Sequence, residues 1–390
     1  MKKKIAILGS TGSIGKQTLE IIRKDKKNFK LVLITANRNI SLLCKQIKEF
    51  NVQNVIVSDN KNYNFIKKKF KNRNIFNSLN DINKILKSKV DYTMSSISGI
   101  DGLKPTLDII KFSKTIAIAN KESIICGWPL IKKKLKKYKT EFIPVDSEHF
   151  SIWSLIKNAK KEDIRKIIIT ASGGPFLNFT NNKMKKISLT QALRHPNWKM
   201  GKKITVDSAT LMNKVFEVIE AKKIFDLSYD KFKILIHPKS YLHAIVIFNK
   251  GLIKFLAHET NMKIPIFNSI YNNLDKKIKM KKIDLKTLNN LNIQEANYKK
   301  FPVINILKKI PKKDSLFETV LVSVNDELVN LFLKKKINFN DISKILIKLL
   351  DNKSLSKFKR KNAKNLAQIE KINDFVRLKT KSFSVLSAPK

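Results

Sequence analysis

The chain of 390 residues contains only two cysteines, Cys44 and Cys126. Two cysteines supply neither a disulfide framework nor a metal cluster, and this usage is typical of a protein of the reducing cytosol. The apolar run before "GSTGSIGK" spans about five residues, too few for the apolar region of a signal peptide. No apolar stretch approaches the roughly 18 residues of a membrane span. We therefore expect a cytoplasmic protein without a membrane partner.

Acidic residues are also scarce: 31 Asp and Glu stand against 80 Lys and Arg, for a net charge of +49. Such a surplus normally indicates binding to nucleic acid or to an anionic membrane surface. Here, however, the lysines are spread over the whole chain together with an excess of Asn and Ile. These three residues have A/T-rich codons, so genome composition is the simpler cause. We expect a positive field that attracts anionic substrates and cofactors, and no specific nucleic-acid partner.

The chain opens with an apolar strand pattern, which is followed by Gly9, Gly12 and Gly15 and then by a helical pattern. Strand, glycine turn and helix form the context of a dinucleotide-binding loop, where backbone N–H groups approach a pyrophosphate. Further strand–helix units follow along the first 145 residues. Their alternation predicts an α/β fold with a Rossmann-like parallel sheet.

The end of the second strand pattern bears on the type of cofactor. An NAD site usually places an acidic residue there to hold the ribose 2′-OH, whereas this chain has Asn37, Arg38 and Asn39. An arginine can pair with a 2′-phosphate. The sequence therefore predicts NADP(H), with a solvated loop arginine as the alternative.

Polar clusters follow three strand patterns, in the segments "SSISGIDGL", "ANKES" and "VDSEH". Ligands of parallel α/β sheets bind beyond the carboxyl ends of the strands, so we expect the three clusters to share one edge. In an extended "VDSEH", the side chains of Asp146 and Glu148 would point to the same side, with that of Ser147 opposite.

The middle of the chain holds all five histidines, between His149 and His258. "ITASGGPF" ends a strand pattern with Ser172 and two glycines, a potential anion nest. Residues 177–203, which contain "RHPNWKMG", lack core periodicity and are predicted to form a flexible lid with Trp198 exposed. The alternative is an ordinary surface loop with a tucked tryptophan.

The segment "VDSATLMNKVFEVIEAKKIF" predicts a helix with Asp207 or Ser208 as its N-cap. Asn213, Lys214 and Glu217 have spacings that place them on one helical face. A solvated polar face is the alternative interpretation.

These motifs support a joint hypothesis. Asp146, Glu148 and Glu217 together would form an oxygen-rich site for a hard divalent cation. Phosphate-type donors are available nearby from Ser172, Ser208, Asn213 and Lys214. A metal, a phosphate site and a nicotinamide cofactor describe a redox enzyme that acts on a small phosphorylated hydroxy-ketone.

Seven motifs occur in the order found in the 1-deoxy-D-xylulose 5-phosphate reductoisomerase family, which the chain resembles from end to end. They are "GSTGSIG", "ANKES", "VDSEH", "SGGPF", "RHPNWKMG", "VDSATLMNK" and "IHPKSYLHA". The resemblance implies retroaldol and aldol rearrangement of 1-deoxy-D-xylulose 5-phosphate, followed by NADPH-dependent reduction to 2-C-methyl-D-erythritol 4-phosphate. It also implies a need for Mg²⁺, Mn²⁺ or Co²⁺, a homodimer, and a place at the committed step of non-mevalonate isoprenoid biosynthesis.

The resemblance further implies roles for individual residues. The metal ligands are Asp146, Glu148 and Glu217. The catalytic residues are Lys121, Asp146, Glu148, His195 and Glu217. The substrate contacts are Lys121, Ser147, Glu148, Ser172, His195, Trp198, Ser208, Asn213, Lys214, Glu217 and His243. The cofactor contacts are Thr11, Gly12, Ser13, Ile14, Asn37, Arg38, Asn39, Asn120, Glu122, Gly201 and Met262.

One residue departs from the pattern of the family. Asn37 stands where members of the family often carry glycine, which bears on affinity at the adenosine end of the cofactor. His237, which precedes a proline, is interpreted as a structural residue.

The predicted domains are an NADPH-binding domain (1–148) and a catalytic domain (149–274) with its lid at about 177–203. A linker (275–298) then leads to a C-terminal helical bundle (299–390) that braces the catalytic domain and carries no chemistry.

Two other functions are alternatives to this reductoisomerase activity. Another NADP-linked dehydrogenase, such as a semialdehyde or homoserine enzyme, would not require the three carboxylates. A basic nucleic-acid-binding protein would require a recognition motif or an aromatic stacking array, and the sequence contains neither.

Overall fold

The computed structural model describes residues 1–272, 275–279 and 285–386. Parts of three regions predicted from the sequence therefore lie outside the described residues. These are the end of the catalytic domain at 273–274, part of the linker at 280–284, and the end of the helical bundle at 387–390.

The strands are short and most are separated by helices. They are β1 (Lys3–Leu8), β2 (Phe29–Ala36), β3 (Asn54–Val57), β4 (Asn74–Phe76), β5 (Val90–Ser95), β6 (Ser113–Ile118), β7 (Glu141–Pro144), β8 (Ile164–Ala171), β9 (Phe232–Ile236), β10 (Leu242–Phe248), β11 (Ile253–Ala257) and β12 (Gln294–Glu295).

The first eleven α-helices connect or follow the strands. They are α1 (Ser13–Lys24), α2 (Ile40–Phe50), α3 (Asn60–Lys69), α4 (Ile82–Ile85), α5 (Leu103–Ile109), α6 (Lys121–Tyr138), α7 (Ser147–Ile156), α8 (Asn181–Met184), α9 (Leu189–Ala192), α10 (Lys202–Thr210) and α11 (Met212–Phe225). The later α-helices are α12 (Lys263–Tyr271), α13 (Leu285–Asn289), α14 (Phe317–Leu333), α15 (Phe339–Asp351), α16 (Lys353–Ser356) and α17 (Leu366–Leu386).

The described chain divides into two compact units. The first contains Met1–Ile124, Trp128–Phe150 and Met262–Lys279. The second contains Ile125–Gly127, Ser151–Asn261 and the C-terminal residues that the structure describes. The domain boundaries derived from the sequence stay a prediction.

The first unit is built on a parallel sheet with the strand order β4-β3-β2-β1-β5-β6-β7. The chain moves outward from β1 to β4 and then resumes on the other side of β1 with β5. The strand order therefore reverses between β1 and β5, and in such sheets a ligand crevice opens at that point.

Apolar side chains cover this parallel sheet, as expected for strands that are buried on both faces. Ile5 and Ile7 of β1 are fully buried, and Ile266 and Ile270 of α12 belong to the same apolar cluster. Helix α12 is fixed further by Lys3, whose ammonium donates to the Ile270 carbonyl at 2.6 Å. The helix that follows Met262 is therefore part of the first unit's core.

The second unit contains a mixed sheet with the strand order β11-β10-β8-β9-β12. Strands β8 and β9 run parallel, whereas β10 runs antiparallel to β8. Helix α14 is the centre of the helical part, because fifteen of its side chains, from Phe317 to Phe332, are buried. None of the described helices combines the length and the apolar character needed to cross a membrane.

The α/β class, the parallel N-terminal sheet and the helical C-terminal region predicted from the sequence are confirmed. The predicted lid segment, residues 177–203, contains the short helices α8 and α9 and the start of α10.

Candidate active site

At two positions of the turn after β1, a side chain larger than that of glycine would collide with the backbone. Gly9 has φ +84°, and a Cβ there would lie 2.9 Å from the Ser96 carbonyl oxygen, beyond β5. A Cβ on Gly15 would lie 2.3 Å from the carbonyl oxygen of Gly9. The turn therefore brings the start of α1 against β1 at the point where the strand order reverses.

The N-terminus of α1 suits an anionic group. Gly12 is its N-cap residue and has no side-chain capping bond, and both Gly12 and Ser13 are exposed, while Thr11 and Ile14 are partly buried. The first amide groups of a helix lack intrahelical partners and attract phosphate. These residues fit the pyrophosphate of a dinucleotide.

Sequence reasoning missed a buried pair beneath this turn. The Ser10 hydroxyl donates to Gln46 Oε1 at 2.7 Å, and Gln46 Nε2 donates to the Ser10 carbonyl at 3.0 Å. Gln46 is 3% exposed. A glutamine within the apolar positions of α2 was the only available signal.

The three residues after β2 are all exposed: Asn37, Arg38 and Asn39. Asn39 has a structural task, because its Oδ1 accepts the Leu42 N–H at 3.2 Å and caps α2. The Arg38 guanidinium therefore lies at the solvent-exposed carboxyl end of β2, where a 2′-phosphate would pair with it.

The polar clusters after β5, β6 and β7 share one edge of the sheet, since these strands are adjacent and parallel. This expectation from the sequence is confirmed. Asn120 links two of the clusters, because its side chain donates to the carbonyls of Gly99, at 2.7 Å, and Ile97. Asn120 also caps α6 by accepting the Ser123 N–H at 2.9 Å.

The extended backbone expected for "VDSEH" is wrong, although carboxylate oxygens of Asp146 and Glu148 do lie within 4.8 Å of each other. Helix α7 begins at Ser147, and the Phe150 N–H donates to the Asp146 carbonyl at 2.8 Å. Glu148 therefore lies in the first helical turn, and alternation along a strand does not describe Asp146 and Glu148. The Ser147 hydroxyl donates to Glu148 Oε2 at 2.6 Å, and Glu148 is 9% exposed.

Asp146 has two basic neighbours within the first unit. Lys121 Nζ lies 3.0 Å from Asp146 Oδ2, and His149 Nδ1 lies 3.7 Å from Asp146 Oδ1. Burial disfavours the charged carboxylate, but the Lys121 ammonium, followed by His149, outweighs burial and holds the pKa of Asp146 well below its ordinary value. The carboxylate is therefore ionised. Sequence reasoning missed His149, whose signal is its position one helical turn after Asp146.

In the second unit, His195 joins the two serines that the sequence assigned to phosphate binding. Its Nε2 lies 3.1 Å from Ser172 Oγ and 3.0 Å from Ser208 Oγ. Its Nδ1 accepts the backbone N–H groups of Asn197, at 3.2 Å, and Trp198, at 3.0 Å. Because Nδ1 is an acceptor, the neutral ring carries its proton on Nε2 and donates toward the serines.

The environment of His195 favours this neutral ring. Burial, together with the nearby Lys214 ammonium, lowers the pKa of His195 to about 4. Imidazole is thus a hydrogen-bond donor here and not a fixed positive charge.

The Ser208 side chain lies at a corner between α10 and α11, which we call the α10–α11 corner (residues 207–217). The predicted N-cap role of Asp207 or Ser208 is wrong, because α10 already begins at Lys202 and includes both residues. The break between the helices falls at Leu211, which has φ +64°.

Beyond this break, Asn213, Lys214 and Glu217 are in contact. The Lys214 ammonium lies 2.5 Å from Glu217 Oε2, and Asn213 Nδ2 donates to Glu217 Oε1. Glu217 is 1% exposed. The shared face predicted from the spacing is confirmed, and the alternative of a solvated polar face is wrong.

The predicted lid is attached to the second sheet through Asn197, whose Nδ2 donates to Ser240 Oγ at 2.8 Å and to the Pro238 carbonyl. The rings of Trp198 and His243 are 6.1 Å apart. His243 in turn stacks on His258 at 3.8 Å, a neighbour that the sequence reasoning did not single out.

The remaining predicted residues have simpler surroundings. Gly201 is the exposed N-cap residue of α10, and a Cβ there would meet no atom within 4 Å. Met262 packs against the core of the first unit, and Glu122 is buried. His237 is fully buried and contacts the Leu291 carbonyl through Nδ1.

Each unit has its own set of candidate functional side chains. The first has a parallel sheet with a glycine turn and ionised Asp146, and the second has serine, histidine, lysine and buried Glu217. Carboxylate oxygens are the ligands that Mg²⁺ and Mn²⁺ prefer, and Asp146 and Glu148 of the first unit and Glu217 of the second are carboxylates of this kind. Fold and site define the class of an α/β oxidoreductase with a Rossmann-type sheet.

Comparison with known proteins identifies the family. A model described as 1-deoxy-D-xylulose 5-phosphate reductoisomerase matches residues 5–127. Two models of C-terminal domains of this enzyme match residues 142–225 and 258–379. The chain belongs to the 1-deoxy-D-xylulose 5-phosphate reductoisomerase family, as predicted from its motifs.

Individual relatives agree with this result. The reductoisomerase of Pelagibacter ubique is 62% identical over 387 residues, which cover 98% of this chain and 100% of the relative. The reductoisomerase of Sulfurihydrogenibium sp. is 38% identical, over 89% of this chain and 90% of the relative.

Solved structures of the family are similar along the whole chain. The Zymomonas mobilis reductoisomerase in complex with NADPH has a TM-score of 0.88 at 30% identity, covering 98% of this chain and 99% of its own. A reductoisomerase in complex with NADPH, fosmidomycin and magnesium has a TM-score of 0.90 at 30% identity, covering 98% of both chains.

The environment of His195 yields a prediction. With histidine labelled in ¹⁵N, the His195 signal should show the proton on Nε2 and should titrate with a pKa of about 4. His195→Gln identifies the signal. Lys214→Gln should raise this pKa, because it removes a neighbouring positive charge. A titration near the ordinary value of about 6.5, or a proton on Nδ1, would contradict the assignment.

Proposed function

We propose that this chain converts 1-deoxy-D-xylulose 5-phosphate into 2-C-methyl-D-erythritol 4-phosphate by rearrangement of the carbon skeleton and reduction. The hydride donor is NADPH and the metal is Mg²⁺ or Mn²⁺, with Co²⁺ as a further option. The reaction is the committed step of non-mevalonate isoprenoid biosynthesis. The 62% identity along the whole length of a relative supports the reaction, and the contacts of His195 support the substrate class.

The phosphate of the substrate would bind at the α10–α11 corner. Ser172 and Ser208 supply hydroxyls on either side of the His195 Nε2–H. Lys214 supplies a positive charge that is almost completely buried and therefore poorly screened by solvent. Neutral hydroxyl and imidazole donors beside one buried ammonium are suited to a phosphate dianion.

The cofactor would bind at the carboxyl edge of the parallel sheet. The exposed start of α1 receives the pyrophosphate, and Arg38 pairs with the 2′-phosphate. We extend the proposal to the other predicted cofactor contacts, which are Thr11, Gly12, Ser13, Ile14, Asn37, Asn39, Asn120, Glu122, Gly201 and Met262. Asn120 uses both its Oδ1 and its Nδ2 within the protein, so its backbone is the contact that we propose.

The divalent cation would be held by Asp146, Glu148 and Glu217. When bound, it polarises the carbonyl and hydroxyl oxygens of the substrate. Two of these carboxylates, Glu148 and Glu217, are more than nine-tenths buried, and buried carboxylates are costly unless cations or donors compensate them. Lys121 holds Asp146 in the ionised form that such a ligand requires.

Lid residues would exclude water from the substrate. Trp198 and His195 are joined through the backbone N–H of Trp198 and the Nδ1 of His195, so movement of the lid moves both side chains. A closed site protects an aldehyde intermediate from water. The other proposed substrate contacts are Lys121, Ser147, Glu148, Asn213, Glu217 and His243.

We also propose a homodimer and a cytoplasmic location. Strand β11 lies at the edge of the second sheet, and Ile253 and Phe255 are 52% and 51% exposed. An exposed apolar edge strand is a template for pairing with another chain, and a second copy would extend the sheet. Cys44 and Cys126 both lie in buried positions, and so low a cysteine count suits a reducing compartment.

The reaction itself is tested by following NADPH absorbance and product formation with 1-deoxy-D-xylulose 5-phosphate and Mn²⁺. A chelator should abolish NADPH oxidation, and added Mg²⁺ or Mn²⁺ should restore it. Glu217→Gln should reduce turnover by at least about a hundredfold, in the range for loss of a group that acts in the transition state, while NADPH binding stays near normal. Full activity in chelator would remove the metal from the proposal, and hydride transfer without rearrangement would indicate an ordinary dehydrogenase.

The cofactor preference is tested with Arg38→Asp. The new carboxylate repels a 2′-phosphate but not a 2′-hydroxyl, so the dissociation constant should rise far more for NADPH than for NADH. Fluorescence titration with both nucleotides measures the two constants. Equal losses for NADPH and NADH would refute the role of Arg38.

The dimer is tested with Phe255→Lys, which places a charge in the exposed edge of an already basic protein. We expect sedimentation velocity to show a shift from dimer to monomer. Phe65→Lys is the matched control, because Phe65 is 52% exposed but belongs to α3 of the first unit and not to the edge strand. A wild-type monomer, or a Phe255→Lys dimer of unchanged strength, would contradict this surface.

A further inference from the structure

Asp207 precedes Ser208 in the motif "VDSATLMNK", but none of the proposed contacts uses its carboxylate. Asp207 is 1% exposed. Its Oδ1 accepts a hydrogen bond from Asn325 Nδ2 at 2.7 Å, and Asn325 is completely buried in α14. A buried carboxylate is stable only with such partners, so its position depends on the C-terminal helices.

A second partner of Asp207 connects three helices. Lys203, one turn earlier in α10, lies with its ammonium 3.1 Å from Asp207 Oδ2 and 2.9 Å from Asp326 Oδ1 of α14. The same ammonium lies 5.2 Å from the centre of the Phe216 ring in α11. Asp326 is held in turn by Arg377 of α17, at 3.1 Å. We call Lys203, Asp207, Asn325, Asp326 and Arg377 the bracing network.

The bracing network meets the phosphate site at a place where the backbone is constrained on two sides. Leu211 has φ +64°, a conformation that a leucine rarely adopts without support from its surroundings. On the other side, a Cβ on Gly174 would lie 2.9 Å from the Ser208 carbonyl oxygen. Ser208 thus sits between a tight contact with the loop of Ser172 and a strained turn.

We propose that Asp207 and Asn325 are positioning residues for phosphate binding. Their hydrogen bond fixes the last turn of α10 and thereby the Ser208 hydroxyl relative to His195 and to Lys214 beyond Leu211. The C-terminal helices then contribute to substrate affinity through α10, although they supply no group to the substrate. This inference rests on the proposed function for the identity of the phosphate ligand.

The principal test replaces Asn325 with aspartate, which sets a second carboxylate against Asp207. We expect the KM for the sugar phosphate and the inhibition constant of inorganic phosphate to rise in parallel, by about tenfold to a hundredfold, the range for a small displacement of binding groups. The dissociation constant of NADPH should stay within about twofold, because the groups proposed for its pyrophosphate and 2′-phosphate, the start of α1 and Arg38, are not part of the bracing network. A merely structural role would lower thermal stability but leave these constants of the folded enzyme unchanged.

The exchange variant Asp207→Asn with Asn325→Asp supplies a rescue. It keeps one carboxylate and one amide in the pair and reverses the direction of the hydrogen bond, so both phosphate-dependent constants should return toward the wild-type values. An Asn325→Asp enzyme that folds normally and retains the wild-type inhibition constant for phosphate would overturn the proposal, as would an exchange variant no better than Asn325→Asp.

Arg377→Gln addresses the case in which Asn325→Asp does not fold. Arg377 is partly exposed, and its loss removes a cationic partner of Asp326, while Lys203 remains, without burying a new charge. We expect a smaller rise in the inhibition constant of phosphate, about two- to threefold, because a partly exposed pair contributes modestly. Lys309→Gln is the matched control, since it breaks the ion pair with Asp351 at 2.6 Å elsewhere in the same unit.

An Arg377→Gln enzyme with the phosphate inhibition constant of Lys309→Gln would also overturn the bracing network. The proposed function and the bracing network would fail in different ways. Failure of the proposed function appears as a wild-type enzyme that does not consume the sugar phosphate, whereas failure of the bracing network appears as an active wild type with insensitive variants.

Discussion

The candidate phosphate site depends on one imidazole ring whose two nitrogens are both engaged. Backbone N–H groups of the lid segment hold His195 Nδ1, and the hydroxyls of Ser172 and Ser208 surround Nε2. Because a neutral imidazole has one donor and one acceptor nitrogen, the contacts of the lid determine what the ring offers at the other end. Lid and phosphate site therefore cannot be arranged independently.

A related constraint applies to the buried charged side chains of this protein. Buried carboxylates and ammonium groups are tolerated only where a partner compensates the loss of water. Lys121 is paired with Asp146 and Lys214 with Glu217, and both lysines have side chains that are 8% exposed. In each pair the ammonium lies next to a carboxylate proposed as a metal ligand, and the Lys121 ammonium holds the pKa of Asp146 well below its ordinary value.

Much of the fold followed from local patterns in the sequence. The strands ending before "SSISGIDGL", "ANKES" and "VDSEH" are neighbours, as expected when parallel strands alternate with helices. The shared face of Asn213, Lys214 and Glu217 followed from helical periodicity alone. These predictions succeeded because each depends on geometry repeated within a few residues.

The errors have physical causes that are equally specific. Strand alternation was extended into "VDSEH", although an aspartate followed by a glutamate is also the signature of a helix start, and the helix begins at Ser147. One helix capped by Asp207 or Ser208 was expected, whereas the structure has two, α10 and α11, that meet at Leu211. Leu211 has a left-handed backbone that a leucine side chain does not favour, so its residue type gave no sign of the break. Contacts such as Asp207 with Asn325, separated by 118 residues, have no local signal at all.

The large positive charge can be interpreted in the light of these contacts. Most lysines lie on the surface, where a change of residue costs little stability, so a bias in composition can accumulate there. Lys121, Lys214 and Lys223 are different, because their ammonium groups are buried against carboxylates at 3.0, 2.5 and 2.6 Å. At such positions the opposing acid, and not the composition of the genome, determines the residue. Pairing with a buried carboxylate thus distinguishes the lysines that have a specific role. These few buried ion pairs say more about function than the net charge of +49 does.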